Sequence, residues 1–398
     1  MQLFAGSKTL LVIGGVTFLS LLGTAVSDPI RPLFIVNVGS TTFELGMIMA
    51  LQSLVSVLTR IPASALSEKL GKWRLMLFSL VLSIGTSALL AFVYKPIWFF
   101  PIVAFSAISW GIFSPISLVI TSDLAKTTTR GTIMGIYFTA IGASLLVGPL
   151  LCSLLTLFTG FRELFLVSAF FPLLALILFI FKANRSEIDV PSIGADLKVF
   201  KVSTVIDSIY RVLRIKNVLA MYYAQIAFAI SFGIFTILFS IYAEGSLRMA
   251  PSVIALLFSV RGFTNLLIRF PAGRVSDRIG RKRLVIISHA IIVVIFFLLP
   301  FVRDLVFLGL LVALYGVGWG MRVAPDAALV SESVTSSDRP IALAILMTTF
   351  DVGIVLGSLM VGVFTIYLSI SDLFLLCAPI LLSGLLVLVL FTRETLNL

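Results

Sequence analysis

Residues 269–284 read RFPAGRVSDRIGRKRL, and 209 positions earlier residues 60–75 read RIPASALSEKLGKWRL. Seven of the sixteen aligned positions are identical, where unrelated segments would share about one. The same shift, with no gap, lays Trp110-Gly111 over Trp319-Gly320, Asp123 over Glu332 and Arg130 over Arg339. It also lays Glu163-Leu164-Phe165 over Asp372-Leu373-Phe374. One offset holding over so much of the chain means that the protein is built as two copies of one unit.

What the unit is made of follows from composition. The 398 residues are 60% hydrophobic and only 12% charged, and soluble domains carry about twice that charge. Long apolar runs recur at about 8–36, 43–66, 75–94, 97–123, 131–158 and 163–181. Six more follow at 217–243, 251–273, 284–302, 305–331, 340–366 and 372–392. Each is long enough for a membrane helix, which needs roughly 20 apolar residues. The expectation is an all-α integral membrane protein of twelve transmembrane helices in two six-helix bundles. Ala25-Val26-Ser27 mimics a signal-peptidase site, but the apolar run is too long for a signal core and the repeat needs this helix.

Charge placement orients the spans. Connections alternate, and one side carries 20 of the 29 lysines and arginines while the other carries Lys95, Arg162, Arg248 and Arg303. The basic side is the cytoplasmic one, so both termini are expected there, in a cell membrane. The net charge of +11 is thus loop charge and does not imply a nucleic-acid partner.

The one long connection, 182–216, separates an N-terminal bundle (1–181) from a C-terminal bundle (217–398). Val202, Val205, Ile206, Ile209 and Leu213 recur at helical spacing, with Lys201, Arg211 and Arg214 on other faces. This predicts an amphipathic helix at the inner surface, where a solvated linker is the alternative.

Few residues are available for covalent or metal chemistry. Cys152 and Cys377 are the only cysteines and His289 the only histidine, each in an apolar run. They form no disulfide framework, metal set or catalytic triad, so neither an enzyme nor a bound cofactor is expected. Gly316, Gly318 and Gly320 lie inside a span, not after a strand, and do not read as a nucleotide loop.

GRVSDRIGRK (273–282) resembles the loop signature G-x-L-x-D-R-x-G-R-K of the major facilitator superfamily, with Val275 in the leucine place. The first copy, Ser64 to Trp73, departs from it at Ser64, Glu68, Lys69 and Lys72. The resemblance implies alternating access by two half-transporters. It also implies a cytoplasmic gate of Glu68, Lys72, Asp123, Arg130, Asp277, Arg281, Glu332 and Arg339. A looser resemblance, to the fifth-span pattern of the family's exporters, is carried by Gly135, Ser144, Gly148, Pro149, Cys152 and Ser153. Small residues that let helices approach are the other reading of it.

Charges within spans mark candidate sites, since an ionisable group at bilayer depth costs at least about 2.5 kcal/mol. They fall on span 1 (Asp28, Arg31), span 2 (Arg60), span 8 (Arg261, Arg269), span 10 (Arg322, Asp326) and span 11 (Asp351). Spans 3, 6 and 12 have none, and these are helices that the resembled family turns toward lipid. Arg261 and Asp351 lie near mid-depth. Arg322 and Asp326, four apart, are able to pair on one helix face and read as gate structure. Asp351 and then Asp28 are the candidates for proton coupling, a static ion pair being the alternative. Arg261, Arg31, Gln52, Trp110, Tyr137, Gln225 and Trp319 are the candidates for substrate contact. The expected function is a monomeric, proton-coupled exporter of drugs or amphiphilic metabolites. An organic-anion transporter using Arg31 and Arg261 is the second reading, and a non-transporting receptor a remote third.

Overall fold

The computed structural model describes residues 8–124, 130–189 and 202–395, without the side chains of residues 61, 65, 68, 130–132 and 202–205. Among the described residues the chain is helical, with no strand. The N-terminal half holds α1 (Lys8–Ser27), α2 (Arg31–Asn37), α3 (Thr42–Leu70), α4 (Lys72–Leu90), α5 (Phe99–Leu124), α6 (Arg130–Leu155) and α7 (Phe161–Lys182). Two short helices follow, α8 (Arg185–Ile188) and α9 (Val202–Leu213). The C-terminal half holds α10 (Lys216–Gly245), α11 (Pro251–Ile279), α12 (Arg281–Leu298), α13 (Leu305–Glu332), α14 (Arg339–Phe364) and α15 (Ile370–Phe391). Among the described residues, twelve segments are long and apolar enough to cross a membrane, as expected.

Two boundaries differ from the sequence expectation for physical reasons. The second and eighth spans were expected to end at 66 and 273, but α3 and α11 run on to Leu70 and Ile279. The added residues are polar yet helix-compatible. The helices stop where Gly71 and Gly280 take positive φ, +86° and +101°, a conformation that a side chain disfavours. The first span divides instead of running through to 36. Pro32 in the first turn of α2 has no N–H to continue the α1 ladder, so the chain breaks over Asp28–Ile30.

By contacts the chain forms two compact units. The first comprises Met1–Thr41, Leu51–Ala195 and Met249–Ser259; the second comprises Thr42–Ala50, Asp196–Arg248 and Val260–Leu398. They follow the two sequence halves except that residues 42–50 and 249–259, matching segments of the repeat, each belong with the opposite half. The connection 182–216 is divided too, with α8 in the first unit and α9 in the second.

Inside each unit the packing repeats. In the first, α1 packs on α6 and α7, and α4 packs on α5 and α7; in the second, α10 packs on α14 and α15, and α12 on α13 and α15. The core residues repeat with them. Met76, Ile120 and Phe179 share one cluster, and Val285, Leu329 and Leu388, each 209 positions later, share another. Glycines set the closest approaches. A Cβ on Gly111 would meet Ser56 O at 2.9 Å, and one on Gly320 would meet Asn265 O at 2.6 Å. These positions also correspond under the shift of 209, which explains why the glycine recurs.

Candidate functional site

The second unit carries the largest concentration of site candidates. Arg261, buried on α11, lies 5.4 Å from the Phe235 ring centre, 5.7 Å from those of Phe232 and Trp319, and 6.0 Å from that of Tyr315. Four ring faces surround one guanidinium, each within cation–π range. Phe232 also packs on Trp319 at 5.0 Å and on Phe350 at 5.4 Å. These three rings are partly exposed and form an aromatic wall beside Arg261. Asp351 follows Phe350 on α14 and is half-buried. Arg261 and Trp319 are among the expected contacts, whereas Phe232, Phe235 and Tyr315 carry no mark in the sequence, because helix rotation decides which of many aromatics face a charge.

Arg322 on α13 is the centre of a closed polar cluster. Its Nε donates to Asp326 Oδ2 at 2.7 Å, and one Nη donates to Gln225 Oε1 on α10 at 2.9 Å. The other Nη lies 3.4 Å from His289 Nδ1 on α12, and the guanidinium sits 4.3 Å from the Phe228 ring. Arg322, Asp326 and His289 are 2%, 4% and 0% exposed. The expected i,i+4 pair is present, but within the second unit's interior. Gln225, a substrate candidate, is engaged by this arginine. His289, the only histidine, faces the same guanidinium.

In the first unit, Asp28 Oδ1 and Arg31 Nη2 are 3.0 Å apart across the α1–α2 break, and Arg31 also donates to Ser27 Oγ at 3.3 Å. Arg31 is buried and Asp28 partly exposed. Tyr137 Oη and Ser117 Oγ share a hydrogen bond of 2.8 Å. Trp110 packs on Phe113, and Gln52, the repeat partner of Arg261, is half-buried on α3.

The basic end of each unit is tied by an ion pair. Lys72 Nζ, 3% exposed, lies 2.6 Å from Asp123 Oδ2, and Arg281 pairs with Glu332. Both pairs link corresponding residues, because 72 and 123 become 281 and 332 under the shift. Asp277, exposed, lies 3.3 Å from Arg281 on the preceding turn. Arg339 Nε donates to Ser331 O at 2.9 Å. The side chains of Glu68 and Arg130, also gate candidates, lie outside the described residues. Sequence reasoning missed two carboxylates that cap the helices beginning after the glycines. Asp189 accepts from Trp73 N at 3.0 Å, and Glu394 accepts from Arg281 N and Lys282 N, each at 3.0 Å. Each places negative charge at a helix N-terminus, where free N–H groups and the dipole favour it.

The sequence profile of the Major Facilitator Superfamily matches residues 13–246 and 221–397, both halves of the repeat. The chain belongs to the Major Facilitator Superfamily. Relatives within it include an uncharacterised MFS-type transporter of Methanocaldococcus jannaschii, 22% identical, with 92% of this chain and 94% of the relative aligned. A multidrug resistance efflux pump, PmrA, of Streptococcus pneumoniae is 24% identical over 85% of this chain and 84% of its own. Among solved structures, the nucleoside transporter NupG matches with a TM-score of 0.84 at 12% identity, covering 97% of this chain and all of the other. A D-xylose–proton symporter matches with a TM-score of 0.75 at 16% identity, covering 98% of each chain. These likenesses carry the major facilitator fold, and with the family profile they make this chain a multi-pass membrane transporter.

Proposed function

We propose that this major facilitator transporter is a monomeric, proton-coupled exporter of drug-like or amphiphilic metabolites, working by alternating access in the cell membrane with both termini in the cytoplasm. The observation that carries the substrate class is the aromatic wall of Phe232, Trp319 and Phe350 beside Arg261. Flat apolar solutes stack on such a surface, and a buried cation beside it adds affinity for one polar end. The efflux-pump relative supports export. Asp351, half-buried next to the wall, is the proposed coupling carboxylate. Asp28, ion-paired with Arg31, is the second candidate. The ion pairs Lys72–Asp123 and Arg281–Glu332, with Asp277, Arg339, Glu68, Arg130 and the Arg322–Asp326 pair, are the proposed gate framework.

A second reading, an organic-anion transporter, is favoured by the four rings around Arg261, which hold a cation within reach of aromatic solutes. One experiment separates the two. Purified protein is screened by thermal unfolding against aromatic anions, aromatic cations and neutral aromatics, because a ligand of the folded state raises the melting temperature. Stabilisation by cations or neutral compounds that Trp319→Leu abolishes supports the exporter reading. Stabilisation confined to anions and lost in Arg261→Gln supports the anion reading. Compounds that stabilise Trp319→Leu and Arg261→Gln as well as the parent would contradict both.

A further inference from the structure

α9 divides its surface three ways. Ser208 and Val212, 5% and 0% exposed, face the second unit, where Val212 joins the core with Val218, Leu329 and Leu346. Arg211 grips Asp338 at the start of α14 with both arms, Nε to Oδ2 at 3.1 Å and Nη2 to Oδ1 at 2.7 Å, and also donates to Ser208 Oγ at 2.7 Å. Opposite this docked side, Ile206, Tyr210 and Leu213 are 44%, 63% and 37% exposed. Their i, i+4, i+7 spacing makes them one apolar stripe. Beside the stripe lie exposed Arg214 and, at the start of the next helix, exposed Lys216.

Position determines what the stripe meets. α9 ends at Leu213 and α10, a membrane-crossing candidate, begins at Lys216. Two residues separate them, so α9 adjoins the end at which that candidate span begins. There an apolar stripe would meet the headgroup boundary and the flanking cations the lipid phosphates. The whole connection 182–216 carries seven basic and four acidic residues, so its charge complements an anionic surface.

We propose that α9 is an anionic-lipid-binding strap. Ile206, Tyr210 and Leu213 seat in the membrane interface, Arg214 and Lys216 take lipid phosphates, and the Arg211–Asp338 clamp ties that contact to the first turn of α14. Surface helices with this arrangement gain from apolar burial and from headgroup charge together.

The test uses the whole protein in nanodiscs of phosphatidylcholine, with or without phosphatidylglycerol. Cys152 and Cys377 are buried, so Tyr210→Cys and, as a polar-side control, Asp207→Cys accept an environment-sensitive fluorophore selectively. The expected result is blue-shifted emission at 210 but not at 207, with quenching by brominated lipid. The shift should be larger with phosphatidylglycerol and reduced when Arg214 and Lys216 are both changed to glutamine. Emission at 210 equal to that at 207 would overturn the proposal by placing the stripe in water. A blue shift untouched by brominated lipid would overturn it by placing a protein surface there. Equal shifts in both lipids would overturn the recognition of anionic headgroups.

Discussion

Lys72 and Asp123 form an ion pair of 2.6 Å that Arg281 and Glu332 repeat 209 residues later. The buried ammonium is the costly half of the first pair, since Lys72 is 3% exposed and the Asp123 side chain 26%. Removing only the carboxylate takes its 2.6 Å counter-charge from a buried ammonium. Asp123→Asn should therefore destabilise by about 3 kcal/mol, and Lys72→Met combined with Asp123→Leu should recover most of the loss. Thermal unfolding in detergent distinguishes the two; equal melting temperatures for the single and double variants would contradict the claim that the buried ammonium causes the loss.

The Arg322 cluster makes a stronger version of the same prediction. Asp326→Asn leaves a guanidinium that is 2% exposed without its carboxylate, at a cost of about 3–5 kcal/mol. Gln225→Ala removes a neutral acceptor from that arginine and should cost less, about 1–3 kcal/mol. The order of melting temperatures is the check.

Outside the membrane, the clamp on α9 should respond to acid. The Arg211 guanidinium and the Ser208 hydroxyl hold the Asp338 carboxyl down to about 2. A carboxylate with a depressed value adds stability above its ordinary value of about 3.9, and that stability is lost as pH falls through 2. Hydrogen-exchange protection of residues 206–213, relative to the intrinsic rate at each pH, should thus hold from neutral pH to about 4 and fall below it. Asp338→Asn should show the lowered protection at every pH.

Gly320→Ala and Gly111→Ala would push a methyl group into a backbone carbonyl, of Asn265 and Ser56 respectively. Each should cost about 1–3 kcal/mol. Gly85, whose Cβ would meet nothing within 4 Å, makes the control: alanine there should be neutral or stabilising by up to about 1 kcal/mol. Melting temperatures of the three variants decide it.

The repeat, the twelve spans and the Arg322–Asp326 pair all follow from the sequence, because periods of 209 and of four residues are visible along a chain. What closed the site was not visible that way. His289 and Gln225 reach Arg322 from helices 33 and 97 residues away in sequence. Asp189 and Glu394 cap helices 116 and 113 residues away. The rings around Arg261 depend on the rotation of α10 and α13, and Gly316 and Gly320 bring α13 into close contact with α11. A sequence packed with 34 phenylalanines offers no local mark of which ones face a charge.

Proton coupling through Asp351 is tested most directly by transport in proteoliposomes, using the compound that most raises the melting temperature of the parent protein. An imposed pH gradient should drive accumulation by the parent. Asp351→Asn should abolish that accumulation while leaving counterflow exchange without a gradient intact, because a carboxylate whose solvation differs between two states links proton release to the switch between them. Accumulation by the Asn variant equal to that of the parent would contradict the coupling role and leave Asp351 a structural residue.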